Sequence, residues 1–327
     1  MTLILSRADV LDLLSLPECI DAVEQAFRLH AEGRTLGPGV LSVPAAGGGF
    51  HIKAAGLLGE RGYFAAKTNA NFSENPRRWG LPTIQGTIVL ADAANGTPLA
   101  VIESGSVTAL RTGAATAVAA KFLARPDART ATIVDCGVQG EIQLAAITTV
   151  LPLQRVMLFD IDHTRAESLA ARAAGKNGVR LEAIKDLQAA LRGSDVCVTC
   201  TTSRRAFIQR DDVVPGTFIA AVGADNPEKQ ELAPALLASA TLVVDVLQQC
   251  AEIGELHHAL AANILRREQV HAELAEVVAG RRPGRTREDE ITIFDSSGTA
   301  LQDVAAAVAV YEKAQATRRG TSVSLGG

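Results

Sequence analysis

From Thr130 onward the chain alternates short apolar runs with helical segments, and this alternation limits the fold more than any other feature. ATIVD reads as a strand, CGVQGEIQLAAITTVL as a helix opened by glycine, RVMLFD as a strand and HTRAESLAARAAG as a helix. VRLEAI, KDLQAALRG, DVCVTC, FIAAVGA, APALLAS and TLVVDV continue the pattern, and EITIFD adds one more strand. Apolar strands joined by helical crossovers demand a parallel sheet covered on both faces, a doubly wound α/β domain.

The chain before Thr130 has a different texture. Pro17 suits a first helical turn, Ile20, Val23 and Phe27 follow at helical spacing, and Gly33 is a stop. GPGVLSVPAAGGGFHIKAAGL, YFAAKTNANF and TIQGTIVLAD then read as strands separated by turns, with Asn95-Gly96 as punctuation. Ser106 to Ala124 is an Ala-rich helix whose small residues let other backbone or a ligand approach closely. Leu301, Val304, Ala305 and Val308 mark a last amphipathic helix, and the tail RRGTSVSLGG reads as frayed. At roughly 150 residues per domain, 327 residues make about two domains.

Composition removes several function classes. A hydrophobic fraction of 47% supports real cores and excludes disorder. A net charge of −4 supplies no basic field for nucleic acid, and 4% aromatic residues supply few stacking platforms. No apolar run reaches the ~18–20 residues of a membrane span, and Arg7 and Asp9 come too early for a signal peptide. The expectation is a cytoplasmic protein without nucleic-acid or membrane partners. Five cysteines at wide spacings agree with a reducing compartment. Cys197 and Cys200 have CxxC spacing, but in a strand residues three apart face opposite ways, and no second pair completes a metal site. No metal is expected.

The strand ATIVD runs directly into Asp135-Cys136-Gly137-Val138-Gln139-Gly140 and a helix, nearly the GxGxxG of a dinucleotide site in the required context. Gly137 would admit a diphosphate to the backbone amides, and Gly140 would allow close packing of helix on strand. Asp135 stands where the first glycine belongs, which brings a like charge and removes conformational freedom. Asp160 ends the next strand, where a carboxylate can bond a ribose 2′-hydroxyl and repel a 2′-phosphate. NAD is therefore expected over NADP.

Other polar residues interrupt apolar texture. Lys67 in AAKTNAN can hold a carboxylate or sit solvated at a strand end, and Arg111 in ALRTGAATA can fork onto a carboxylate or bridge domains. Asp225, after a strand in AVGADNPEKQEL, can exchange protons with an amine or imine, or cap a helix. His51 and Lys53 share one strand face, His257 and His258 fit a helix surface, and Asp295 fits a cap for the last helix.

Taken together, AAKTNAN, GLPTIQGTIVLAD, TALRTGAATAVAAKFLA, CGVQGEIQLAA, AVGADNPEKQEL, GELHHAL and EITIFDSSGTALQDVA resemble the ornithine cyclodeaminase/mu-crystallin family over residues 50 to 310. The resemblance implies a Rossmann doubly wound parallel sheet plus an α+β substrate-binding and dimerisation domain, in a homodimer. The corresponding division is 1–117 with 302–327 for the α+β domain and 118–301 for the Rossmann domain. By position, Lys67 and Arg111 match the substrate-carboxylate pair and Asp225 the acid/base, with Lys67 also in a catalytic role. Thr83 and Lys53 fall at the substrate pocket. Thr112, Gly113, Gly137, Val138, Gln139, Gly140, Asp160 and Thr201 fall at the NAD site. Two departures stand out besides Asp135. GPGVLSV lacks the arginine that many members carry, and the acid that would hold ornithine's distal amine is replaced, with Lys53 nearby.

These readings favour an NAD-dependent oxidoreductase acting on the CH–NH or C=N bond of a small amino acid or cyclic imino acid. The rivals are an ornithine cyclodeaminase-type cyclisation and a non-catalytic, mu-crystallin-like binding protein. A pocket poor in aromatic residues suits a compact carboxylate-bearing substrate.

Overall fold

The computed structural model describes residues 1–176 and 178–325. The chain forms two compact units, Met1–Arg111 with Thr299–Gly327, and Thr112–Gly298. The family resemblance puts these divisions at 117/118 and 301/302. The first division falls inside the continuous helix Ser104–Leu123, where no breaker marks it. The second falls just before Thr299, whose side chain caps the helix Ala300–Thr317.

The unit Thr112–Gly298 is built on an eight-stranded sheet. Its order is Ala272–Glu273, Thr241–Val244, Thr292–Asp295, Phe218–Ala221, Val196–Thr199, Thr130–Val134, Arg155–Phe159 and Arg180–Ala183. Every neighbouring pair is parallel. The four residues of Val196–Thr199, Phe218–Ala221 and Thr292–Asp295 are all buried, as strands covered on both faces must be. Thr130–Val134 lies between Arg155–Phe159 and Val196–Thr199, both later in the chain, which winds outward from it to one edge and then to the other, so its carboxyl end opens at the topological switch point. The glycine loop follows there, and the doubly wound expectation holds.

The other unit carries a seven-stranded sheet in the order Thr321–Val323, Thr2–Leu5, Pro98–Glu103, Ile84–Asp92, Gly62–Asn71, Gly48–Leu58 and Thr35–Ala45. All its pairings are antiparallel except that of Thr2–Leu5 with Pro98–Glu103. The helix Leu16–Ala31 starts with a reciprocal Ser15–Glu18 capping box and Pro17 in its first turn. It buries Cys19, Ile20, Val23 and Phe27, and the helix Ala300–Thr317 packs on it and on the strands Gly48–Leu58 and Gly62–Asn71.

Three local expectations are corrected. The tail is not frayed through its length: Thr321–Val323 pairs with Thr2–Ile4, an edge strand too short and polar to stand out in sequence. Thr2–Leu5 is itself a strand, missed because its apolar run is so brief. Asp295 does not cap the last helix; its carboxylate accepts the amides of Glu255 and Leu256, opening the helix Glu255–Ala261. Among the described residues no helix is long and apolar enough to cross a membrane, and no group of three or more His, Cys, Asp or Glu is placed to hold a metal.

Candidate active site

In the strand Gly62–Asn71, Lys67 stands in register opposite Lys53 of Gly48–Leu58. The helix Ala300–Thr317 brings Asp303 onto this lysine. Lys67 Nζ donates to Asp303 Oδ1 at 2.8 Å and lies 2.7 Å from Oδ2, with Thr108 Oγ1 at 3.4 Å. Arg111 completes the group. Its Nε lies 2.9 Å from Asp303 Oδ1, and its Nη1 donates to Gln302 Oε1 at 2.8 Å. Lys67, Arg111 and Asp303 are 3%, 5% and 2% exposed, so this cluster is almost dry.

Its charges do not cancel. Two buried cations, with Lys53 opposite, share one carboxylate. Burial pushes the Lys67 ammonium down to about 7 against the pull of Asp303, and Arg111 and Lys53 push it the same way as burial. Burial also works to raise Asp303, but Lys67 and Arg111 outweigh it and hold the carboxyl below its usual range. The fully buried Gln302 turns its oxygen to Arg111 and leaves Nε2 without a partner among the described residues. The cluster thus pairs two cations with one carboxylate and keeps a buried amide donor unpartnered among the described residues. Sequence reasoning missed Gln302 and Asp303. The available signal was an amide and an acid set inside the otherwise apolar ALQDVAAAVAV.

Thr83 is half-buried, and its carbonyl accepts the amide of Phe72, just past the Lys67 strand. His51 shares the Lys53 strand face and bonds Ser42 through Nδ1 at 3.1 Å.

In the glycine loop, Asp135 has φ +84°, the left-handed region in which glycine is at ease and aspartate is among the better-tolerated substitutes. Its Oδ1 accepts the Gly137 amide at 2.8 Å. Gly137 is the N-cap of Val138–Val150 and offers no side chain to the helix end. At Gly140 a Cβ would collide with the Asp135 carbonyl, so the close packing expected of this glycine is present. Val138 is exposed, while Gln139 has a buried Oε1 with no donor among the described residues. Beside the loop lies a cavity of about 400 Å³ lined by Cys136, Gly137, Val138, Thr164, Arg165 and Arg172, among others.

Asp160 is engaged by the chain itself. Its Oδ2 accepts the Cys136 amide and its Oδ1 the Asp162 amide, both at 2.9 Å, so it braces the loop from the neighbouring strand end. Thr112 and Gly113 lie in the helix Ser104–Leu123, where a Cβ on Gly113 would come within 2.6 Å of Ile142 Cγ2. This glycine admits the helix Val138–Val150, a structural reason for the small residues there.

Asp225 sits in the loop after Phe218–Ala221, half-exposed, with Lys229 Nζ 2.8 Å from its Oδ1. The next element is the strand Gln230–Leu232, so Asp225 caps no helix. A buried chain of carboxylates fixes this region. Asp295 holds the amides of Glu255 and Leu256, and Glu255 holds those of Glu231 and Leu232. Glu231 in turn holds the amides of Thr201 and Gly223 and the hydroxyl of Thr199. Thr201 is thus anchored through its backbone. Burial raises Glu231, Glu255 and Asp295, the last to about 7. His258 bonds the Lys229 carbonyl at 2.8 Å and His257 the Ala251 carbonyl at 3.3 Å, so both are half-buried. Burial also raises the Cys197 and Cys200 thiols, which are free.

The chain as a whole has counterparts among known proteins. The profile of the ornithine cyclodeaminase/mu-crystallin family matches residues 1–318. The chain belongs to this family. It is 38% identical to an alanine dehydrogenase of Archaeoglobus fulgidus over 99% of this chain and 98% of that protein. Among solved structures, an archaeal alanine dehydrogenase dimer with bound NAD superposes with a TM-score of 0.94 at 37% identity, covering 99% of both chains. The Δ1-pyrroline-2-carboxylate reductase of Thermococcus litoralis, in complex with NADH and L-proline, gives 0.94 at 32% identity, covering 98% of this chain and 100% of that one. These relatives differ in substrate and share the fold of this family member throughout.

Proposed function

We propose that this family member is an NAD-dependent oxidoreductase acting at the carbon–nitrogen bond of a small amino acid or its imine. The observation that carries the reading is the buried Lys67–Arg111–Asp303 cluster with its surplus positive charge and the unpartnered Gln302 Nε2. A substrate carboxylate supplies both the missing negative charge and the missing acceptor. Arg111 receives it with a planar fork, Lys67 with a compact charge, and the two together hold Cα in a fixed orientation.

The glycine loop fits NAD. Gly137 leaves the helix end open, Gly140 keeps helix and strand close, and the orphan Gln139 Oε1 can accept from a hydroxyl or carboxamide of the cofactor. NAD supplies hydride transfer at the substrate carbon. Asp225 is assigned the proton exchange at nitrogen, and Lys229 and the loop held by Glu231 set its position. Lys53 opposite Lys67 disfavours ornithine, whose distal ammonium would meet a third cation.

A second copy of the chain is the proposed partner. In the Met1–Arg111 unit, register and period two place Leu41, Val43, Phe50, Phe64 and Val89 on the sheet face opposite Lys67, and all five are exposed. An apolar sheet face of this kind is the usual mark of an interface, and the archaeal alanine dehydrogenase is a dimer.

The deciding experiment is an NADH-oxidation screen with 2-oxo acids plus ammonia and with cyclic imino acids, repeated on Arg111→Lys. That variant keeps the charge and loses the fork. It is expected to lower kcat/KM by at least about tenfold with NADH affinity unchanged. Full activity in Arg111→Lys and Arg111→Ala refutes the clamp, and absence of turnover on every substrate supports the binding-protein reading instead.

A further inference from the structure

The residue at the first position of the glycine loop is chemically out of place for a diphosphate site. Asp135 takes the left-handed backbone normally left to glycine and folds its carboxylate onto the Gly137 amide, at the positive end of the helix Val138–Val150. An internal anion therefore occupies the helix end where a dinucleotide presents its own two negative charges.

We propose, resting on the NAD reading above, that Asp135 makes dinucleotide binding a proton-coupled event: the loop binds the cofactor with its carboxyl protonated, taking that proton from solvent. The surroundings favour this. Asp160, at the end of the strand Arg155–Phe159, faces Asp135 with a second carboxylate. Arg165 of the helix His163–Ala173 is the cation that acts on it, and Arg172 of the same helix, paired with Glu141, lines the cavity beside the loop. The Cys136 and Cys200 thiols, from the loop itself and from the end of Val196–Thr199, add no positive charge. Burial and Asp160 already push the Asp135 carboxyl above its usual range in the free protein, with the Gly137 hydrogen bond and Arg165 pulling the other way. Two further negative charges push the same way as Asp160.

Linkage gives the sign. When the complex holds a proton that the free protein has released, affinity falls as pH rises, by up to about tenfold per pH unit. The slope spans the window between the carboxyl's titration in the free protein and in the complex.

The test is calorimetric titration of the whole protein with NADH between pH 6 and 8, in two buffers of different ionisation enthalpy, which counts protons taken up. Wild type is expected to take up a fraction of a proton approaching one, with affinity weakening as pH rises. Asp135→Asn keeps the Gly137 hydrogen bond and tolerates the positive φ without the charge. It is expected to bind NADH at least tenfold more tightly at pH 8, with the uptake abolished. Asp135→Gly is expected to behave alike and serves if the asparagine variant melts early. Zero uptake by wild type, or equal uptake by wild type and both variants, overturns the proposal. If neither wild type nor variant binds NADH at all, the cofactor reading falls and takes this inference with it.

Discussion

Lys67 and Asp303 are 236 residues apart in sequence and share a hydrogen-bonded ion pair of 2.8 Å, with both side chains buried. The same carboxylate also receives Arg111 at 2.9 Å, so a single acid from the last helix keeps two cations side by side. It is the keystone of the proposed clamp.

Removing that acid should be costly. Asp303→Ala leaves two buried cations facing each other, and breaking such a pair costs about 3–5 kcal/mol. Denaturant unfolding is expected to show a loss of that order. Asp303→Asn, which still accepts a hydrogen bond, should lose less. A change below about 1 kcal/mol in both variants would show the cluster to be hydrated and weakly coupled.

Carboxylate binding should depend on pH through Lys67. With its ammonium pushed down to about 7 by burial, Lys67 loses its charge as pH rises through neutrality. A carboxylate prefers the charged form, so affinity for an unreactive carboxylate such as propionate is expected to weaken by about tenfold per unit above that point. Binding titrations from pH 6 to 9 in the presence of NADH check this. Lys67→Met should give weak binding with a flatter profile; a flat profile in wild type contradicts the assignment.

The buried carboxylates of the Rossmann unit predict a stability slope. Asp295 is raised to about 7, with Glu231 and Glu255 raised as well, all by burial. Between the usual carboxylate range and about 7 the folded state holds protons that the unfolded state has released. Stability therefore falls as pH rises through that interval. The Tm is expected to be higher at pH 5 than at pH 7.5, and Asp295→Asn should reduce the difference. A Tm that rises over this range, in wild type and variant alike, would disprove it.

The exposed sheet face predicts the assembly state. Leu41→Glu and Phe50→Glu put charges among Val43, Phe64 and Val89. Sedimentation is expected to show a wild-type dimer and variants shifted to monomer. A monomeric wild type at micromolar concentration removes the basis for the partner.

Much of the Rossmann unit was legible because a buried parallel strand needs only a short apolar run, and the helix between strands carries its own period. ATIVD, RVMLFD and DVCVTC appear within a residue or two of their expected places. The tail strand Thr321–Val323 was not legible, since an exposed three-residue edge has no apolar pattern and exists only through pairing with Thr2–Ile4. Asp295 shows the same limit from the other side: an acid before a helix looks like its cap, and only the packed sheet reveals that it serves another helix.

Local chemistry in the chain itself determined the parallel sheet, the glycine loop with its misplaced aspartate, and the two cations set in apolar surroundings. Only the tertiary structure decided what those cations meet. Lys67 and Arg111 gain their meaning from Asp303 and Gln302, which a helix near the end of the chain delivers to a strand near its beginning. Such a meeting leaves no mark on local periodicity, because burial and Coulomb attraction depend on distance in space and are indifferent to separation along the chain.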